Sequence, residues 1–215
     1  DLMVYHPDGS IWTVDGPMDT LHKITFDNNP DGDRTSYLIP RGDHKPGGVY
    51  WKMEKGKRKG NETYLAPHSL QTAPDGIIWL TLASGNQLAG FNPATETWDM
   101  VDMEEGINPH TLRFDKQGRL WYTVTATNHV GMFDPETREQ TFIRLEFPDM
   151  ETRLITWFTP FFIKHADLFN LEDRSADMDG VSMPMPYGID ISPIDGSVWF
   201  SQLNMRTIGR IDPET

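Results

Sequence analysis

The sequence predicts an all-β fold. The expected architecture is a β-propeller of four-stranded blades, incomplete, with about four blades visible of a six- or seven-bladed ring, plus a helical insertion. Three observations predict it. A Gly-x-x-Trp signature recurs as Asp8-Gly9-Ser10-Ile11-Trp12, Asp75-Gly76-Ile77-Ile78-Trp79, Gln117-Gly118-Arg119-Leu120-Trp121 and Asp195-Gly196-Ser197-Val198-Trp199. A second landmark follows the last three at a constant 14 residues from Trp to Pro: Asn92-Pro93, Asp134-Pro135 and Asp212-Pro213. Trp79 and Trp121 are 42 residues apart, the length of one four-stranded blade.

Within one period the order is strand, Gly turn, strand, polar turn, strand, Asp-Pro turn, strand. In the second copy these strands are expected over His68–Thr72, Ile77–Leu82, Gln87–Phe91 and Trp98–Val101. Each run is short, rich in β-branched and aromatic residues, and bounded by Gly, Pro, Asn or Asp. Asp-Gly suits a tight reversal, and Asp-Pro-x-Thr suits a turn in which Asp caps its own backbone. The blades are placed at about 1–40, 65–106, 107–147 and 184–215. The first copy is looser, with Asp27-Asn28 in place of Asp-Pro, and the last copy stops before a fourth strand.

Composition narrows the function classes. The 215 residues carry 32 acidic against 19 basic side chains, a net charge of -13. Such a surface repels a phosphate backbone, which argues against a general nucleic-acid binder. With no cysteine, disulfides, thiolate metal sites and cysteine nucleophiles are excluded. No run approaches the ~18 apolar residues that a membrane span needs. The compartment stays open, with a periplasmic or secreted location favoured. The expected partner is a small-molecule or peptide-like ligand in the central channel of a monomer.

The candidate site follows from the blade geometry. The first strand of a blade lies beside the channel, so residues opening that strand recur around its mouth. They are Pro67-His68, Pro109-His110 and Pro186-Tyr187, with Asp1 in the first copy. His68 and His110 stand one period apart and should be neighbours at equal depth. The second strand returns to the same end, bringing the residue three after each Trp: Asp15, Leu82, Val124 and Gln202. A histidine pair at such a mouth can supply a general base near neutral pH or ligate a metal. The competing reading is that Pro-His orders the strand start, its imidazole bonding a neighbouring carbonyl. His110 and His68 are the catalytic candidates, and Tyr187, Gln202 and Asp15 the substrate-contact candidates. His6, His22 and His129 read as surface or strand residues, and His44 and His165 belong to insertions.

At these motifs the blades resemble those of the streptogramin lyase (virginiamycin B lyase) family. Its repeat reads roughly Pro-His-Gly-Ile, Asp-Gly-x-x-Trp-Phe-Thr-Glu, then Ile-Gly-Arg-Ile. The matching residues are Pro186-Tyr187-Gly188-Ile189, Trp199-Phe200-Ser201-Gln202 and Ile208-Gly209-Arg210-Ile211. The resemblance covers the second to fourth copies well and the first loosely, and excludes the insertions. It implies a C–O lyase that opens the ester of a cyclic depsipeptide antibiotic by elimination, a route to antibiotic resistance. A bound Mg2+ would polarise the substrate and stabilise the enolate oxygen, while a histidine removes the α-proton. His110 matches the base position, and His68 is the preceding blade's histidine. The family's metal-side glutamate position holds Leu82, Val124 and Gln202 in the three matching blades; Asp15 is the acid there in the first.

Two insertions interrupt the period, at about 41–64 and 148–183. The first carries seven basic and three acidic residues, either attracting an anionic partner or forming a solvated hairpin on an acidic body. In the second, Leu154, Phe158, Phe161, Phe162, His165, Leu168 and Phe169 share a helical face. That face is expected to pack on the propeller, with a lid over the mouth as the alternative. Pro160 would kink this helix or mark its first turn. The acids Glu172, Asp173, Asp177 and Asp179 read as a polar loop. Two further functions stay open: a non-catalytic extracytoplasmic ligand- or protein-binding propeller, and, ranked last, a gluconolactonase-like hydrolase.

Overall fold

A computed structural model of the chain describes residues 2–41, 51–54, 57–63, 65–164 and 183–213, with side chains over 2–41, 65–161 and 183–213. Three four-stranded antiparallel sheets and one three-stranded sheet follow one another in chain order. The first holds β1 (Met3–Tyr5), β2 (Ile11–Asp15), β3 (Thr20–Thr25) and β4 (Asp33–Leu38). A separate hairpin, β5 (Trp51–Glu54) and β6 (Lys57–Thr63), occupies the first insertion. The second sheet comprises β7 (Pro67–Thr72), β8 (Ile78–Leu82), β9 (Gln87–Asn92) and β10 (Thr97–Asp102). The third comprises β11 (Pro109–Phe114), β12 (Leu120–Val124), β13 (His129–Phe133) and β14 (Gln140–Arg144). After helix α1 (Met150–Lys164) come β15 (Pro186–Ile191), β16 (Val198–Gln202) and β17 (Thr207–Ile211).

Each sheet is a meander, and the first strands neighbour one another across sheets: β1 with β7, β7 with β11, β11 with β15. This is a run of propeller blades. Trp12, Trp79, Trp121 and Trp199 are each the second residue of a second strand, facing Val4, Gln71, Arg113 and Asp190 of the first. The repeat inferred from the tryptophans therefore holds in register. The Gly turns hold too: Gly9, Gly76, Gly118 and Gly196 all have φ between 74° and 87°, which an L side chain adopts only at a cost.

The core lies between blades rather than within them. Trp12 packs with Leu70, Leu80 and Phe91 of the second blade. Trp79 packs with Leu112, Tyr122 and Phe133 of the third, and Trp121 with Ile189, Val198 and Phe200 of the fourth. Trp199 of the fourth blade is 44% exposed. Polar staples join the same neighbours. Asp19, Asn86 and Asn128 recur just before the third strands with φ near 50° to 57°. Asp19 Oδ1 accepts from the Leu65 and Ala66 amides at 2.8 and 3.1 Å. Asn86 bonds Gly106 and Asn108, and Asn128 bonds the Leu145 and Glu146 carbonyls, so each holds the segment leading to the next blade.

Helix α1 confirms one expectation and corrects another. Asp149 caps it, accepting from the Thr152 amide at 2.7 Å, and Pro160 stands inside it rather than at its first turn. The face turned to the protein is polar: Thr152 and Thr156 are buried, with Ile155 and Thr159 half-buried beside them. Leu154, Trp157, Phe158 and Phe161 are exposed, so the apolar stripe expected to be covered points outwards. The remaining stripe members, Phe162, His165, Leu168 and Phe169, and the acids Glu172, Asp173, Asp177 and Asp179, lie outside the described side chains, as do Asp1, His44 and the charged residues of the first insertion except Arg41. No helix among the described residues is long and apolar enough to cross a membrane.

Candidate functional site

Proline opens β7, β11 and β15, where its missing N–H costs no ladder bond. Each proline faces the last residue of its second strand: Pro67 with Leu82, Pro109 with Val124, Pro186 with Gln202. Directly after it the register shifts in all three strands, and the displaced residues are His68, His110 and Tyr187. Such a bulge re-aims a side chain.

Hydroxyls two residues after Trp79, Trp121 and Trp199 hold the bulges. Thr81 Oγ1 accepts from the Ser69 amide at 3.1 Å and donates to the His110 carbonyl in the next blade. Thr123 Oγ1 accepts from the Thr111 amide at 3.1 Å and donates to the Tyr187 carbonyl at 2.9 Å. Ser201 Oγ accepts from the Gly188 amide at 3.1 Å. These positioning residues were missed by the sequence reading. Their signal was present: Thr81, Thr123 and Ser201 all stand at that offset, whereas the first copy has Val14 there.

The bulges bring three rings into a row. His68 and His110 have centroids 3.6 Å apart with planes inclined by 34°. His110 and Tyr187 are 4.2 Å apart at 45°. His110, in the middle, is 5% exposed, whereas Tyr187 at the end is 39% exposed. His110 Nδ1 lies 3.2 Å from Thr111 Oγ1, and buried His68 Nδ1 has no hydrogen-bond partner. Burial, aided by the neighbouring His68 charge, pushes the His110 imidazolium down to about 4. Burial lowers His68 as well.

At neutral pH the pair is therefore uncharged, and the linkage has a definite sign. Because His110 titrates lower in the folded chain than the ordinary value of 6.5, the unfolded chain binds more protons between 6.5 and about 4. Its contribution to stability is intact above 6.5 and is lost as pH falls towards 4. His110→Gln should flatten that part of the stability-versus-pH curve, measured by urea unfolding at pH 7 and pH 4.5. An unchanged slope would show that His110 is not the titrating group.

Leu82 and Val124 are fully buried. Gln202 donates to Asn128 Oδ1 at 2.9 Å and accepts from Thr207 at 3.1 Å, so both ends of its amide are engaged in structure. Asp15 accepts from the Met18 amide at 3.2 Å within its own turn. The structure thus gathers His68, His110 and Tyr187 but gives neither Gln202 nor Asp15 a bond to them. The described residues of this mouth do not by themselves fit magnesium. A hard cation needs oxygen donors, preferably carboxylates, and the residues paired with the prolines that precede the rings are Leu82, Val124 and a committed amide. Among the described residues no three His, Asp or Glu side chains are grouped to hold a metal.

No family model matches the chain, and no curated protein matches it. Solved structures do. Virginiamycin B lyase from Staphylococcus aureus superposes over 99% of this chain and 52% of its own, with TM-score 0.65 and 18% identity. Its catalytically inactive variant with quinupristin gives TM-score 0.66 and 17% identity, with the same coverage. The chain has the β-propeller fold of virginiamycin B lyase. It spans about half the length of those structures. The fold is shared more widely: the extracellular domain of a putative one component system from B. thetaiotaomicron matches over 93% of this chain and 19% of its own, with TM-score 0.53 and 12% identity.

Proposed function

We propose that the protein binds a small peptide-like ligand at the channel mouth, against the row His68–His110–Tyr187, without chemistry performed by these blades alone. The observation that carries this is the row itself: three tilted rings ending in a half-exposed phenol, where the lyase motif's carboxylate positions are apolar or committed. Tilted, partly desolvated rings offer a surface on which proline rings, aromatic side chains and amide planes pack. Neutral imidazoles add a hydrogen-bonding function without the cost of burying a charge.

The lyase reading is second, and the neutral His110 imidazole favours it. An unprotonated ring can take the α-proton while the Cα–H electrons form a C=C bond and the ester C–O bond breaks, releasing a carboxylate. A base with a pKa near 4 is weak for that task.

Quinupristin is the natural probe, being the ligand held by the inactive virginiamycin B lyase variant. Isothermal titration should show binding to the full-length protein, weakened about 10-fold in Tyr187→Ala, a loss of about 1.4 kcal/mol. Mass spectrometry of the incubated ligand should show it unopened. Elimination would give a linear isomer of unchanged mass, hydrolysis a product heavier by one water. A linear isomer lost in His110→Ala would establish the lyase reading, and unaltered affinity in a folded Tyr187→Ala would remove the binding one.

A further inference from the structure

We propose that a cavity between α1 and the third blade is a second ligand site, one that takes a small amphipathic carboxylate. The cavity measures about 640 Å3, within the range of small-molecule sites. It lies at the same end of the blades as the mouth, since His129 faces Val124, which faces Pro109. None of its lining residues belongs to the ring row.

One wall is polar and already ordered. His129, 5% exposed at the start of β13, has its Nδ1 3.1 Å from Thr127 Oγ1. Arg144 Nε donates to His129 Nε2 at 3.1 Å, and its terminal nitrogen donates to Glu105. Glu105 Oε1 is also 3.3 Å from His129 Nε2. A guanidinium can only donate, so the Nε2 lone pair is taken by Arg144 and the ring proton resides on Nδ1. His129 is neutral in this arrangement, and the charges lining the cavity are two arginines, Arg144 and Arg153, against one Glu105. On a chain of net charge -13 this is a locally cationic site.

The opposite wall is α1. Arg153 has no ion-pair partner among the described residues. Thr156 lines the cavity, is 3% exposed, and its hydroxyl has no hydrogen-bond partner. Its helix neighbour Thr159 returns its own hydroxyl to the Ile155 carbonyl at 3.0 Å, so an unsatisfied threonine is not general to this helix. A buried hydroxyl without a partner is unfavourable, and a ligand acceptor at this point removes that penalty. Beside these polar groups stand Leu154 and Trp157, 48% and 69% exposed. A carboxylate between Arg153 and the Thr156 hydroxyl, with an apolar body along Leu154 and Trp157, satisfies the orphan donors and covers that surface together. This occupant also fits the orientation of α1 at this point, where Thr156 points inwards and Leu154 and Trp157 border the cavity.

The test compares 3-phenylpropionate with its neutral analogue 3-phenylpropanol by isothermal titration of the full chain. The acid should bind at least 10-fold more tightly than the alcohol, and Arg153→Gln should erase that preference. Arg153 is a surface residue, so its replacement should leave the fold intact. Thr156→Val should weaken the acid several-fold, while Tyr187→Ala should leave it unchanged, which separates this site from the channel mouth. Equal affinities for acid and alcohol, or an Arg153→Gln variant that binds the acid as before, would overturn the proposal. So would failure of the acid to bind while the chain self-associates in sedimentation and Trp157→Ala makes it monomeric, which would make this face a protein contact.

Discussion

Asp115→Ala is expected to destabilise the chain by about 3–5 kcal/mol, the range for stranding the partner of a buried charge. Asp115 is 7% exposed and is the hub of the third blade's turn. Its Oδ1 accepts from the Gln117 and Arg119 amides at 3.0 and 2.9 Å. Its Oδ2 accepts from Arg119 Nε at 2.7 Å and from Trp121 Nε1 at 2.8 Å. Alanine leaves the guanidinium and the buried indole N–H unpaired, and the indole sits in the core shared with the fourth blade. Two other turns distribute this task over two residues. In the first and fourth blades the indole donates to Ser10 or Ser197, which is bonded to Asp8 or Asp195 in turn. Asp8→Ala, on an exposed turn, should therefore cost less than Asp115→Ala. Urea unfolding followed by tryptophan fluorescence measures both; a loss below about 1 kcal/mol at Asp115 would contradict the hub assignment.

Gly131→Ala is expected to cost about 2–3 kcal/mol by overpacking. Gly131 faces Tyr122 across β12 and β13, and a Cβ there would overlap the Tyr122 ring. That ring is fully buried in the core between the second and third blades, and close-packed interiors resist such a shift. Gly209 bears the same relation to Phe200 in the fourth blade. The informative comparison is Gly118→Ala. Gly118 has φ +83° and open space around it, so alanine there meets only backbone strain, roughly 1 kcal/mol. Thermal or urea unfolding should rank Gly131→Ala as the more damaging. The reverse order would mean that the Tyr122 ring can move aside.

The sequence by itself determined the blades, their strands and the row of rings. Short repeats at a constant spacing sufficed because a blade is a local object. Strand alternation, Asp-Gly turns and the proline before each ring residue all act within about 40 residues. His68, His110 and Tyr187 stand together because equal offsets in successive blades become equal depths around a channel. Other features were settled only by contacts between distant segments. The 3.6-residue period showed that Leu154, Phe158 and Phe161 share a face of α1, but a period carries no information about which face turns inwards. The tertiary structure turned Thr152 and Thr156 inwards instead. His129 read as an ordinary strand residue, because its partners Glu105 and Arg144 come from the preceding blade's exit and from a neighbouring strand. The offset places Gln202 at the mouth, and only the fold shows that Asn128, 74 residues away, holds its amide. Hydrogen bonds and helix orientation are set by which side chains meet once the blades have packed, and the repeat spacing does not encode those meetings.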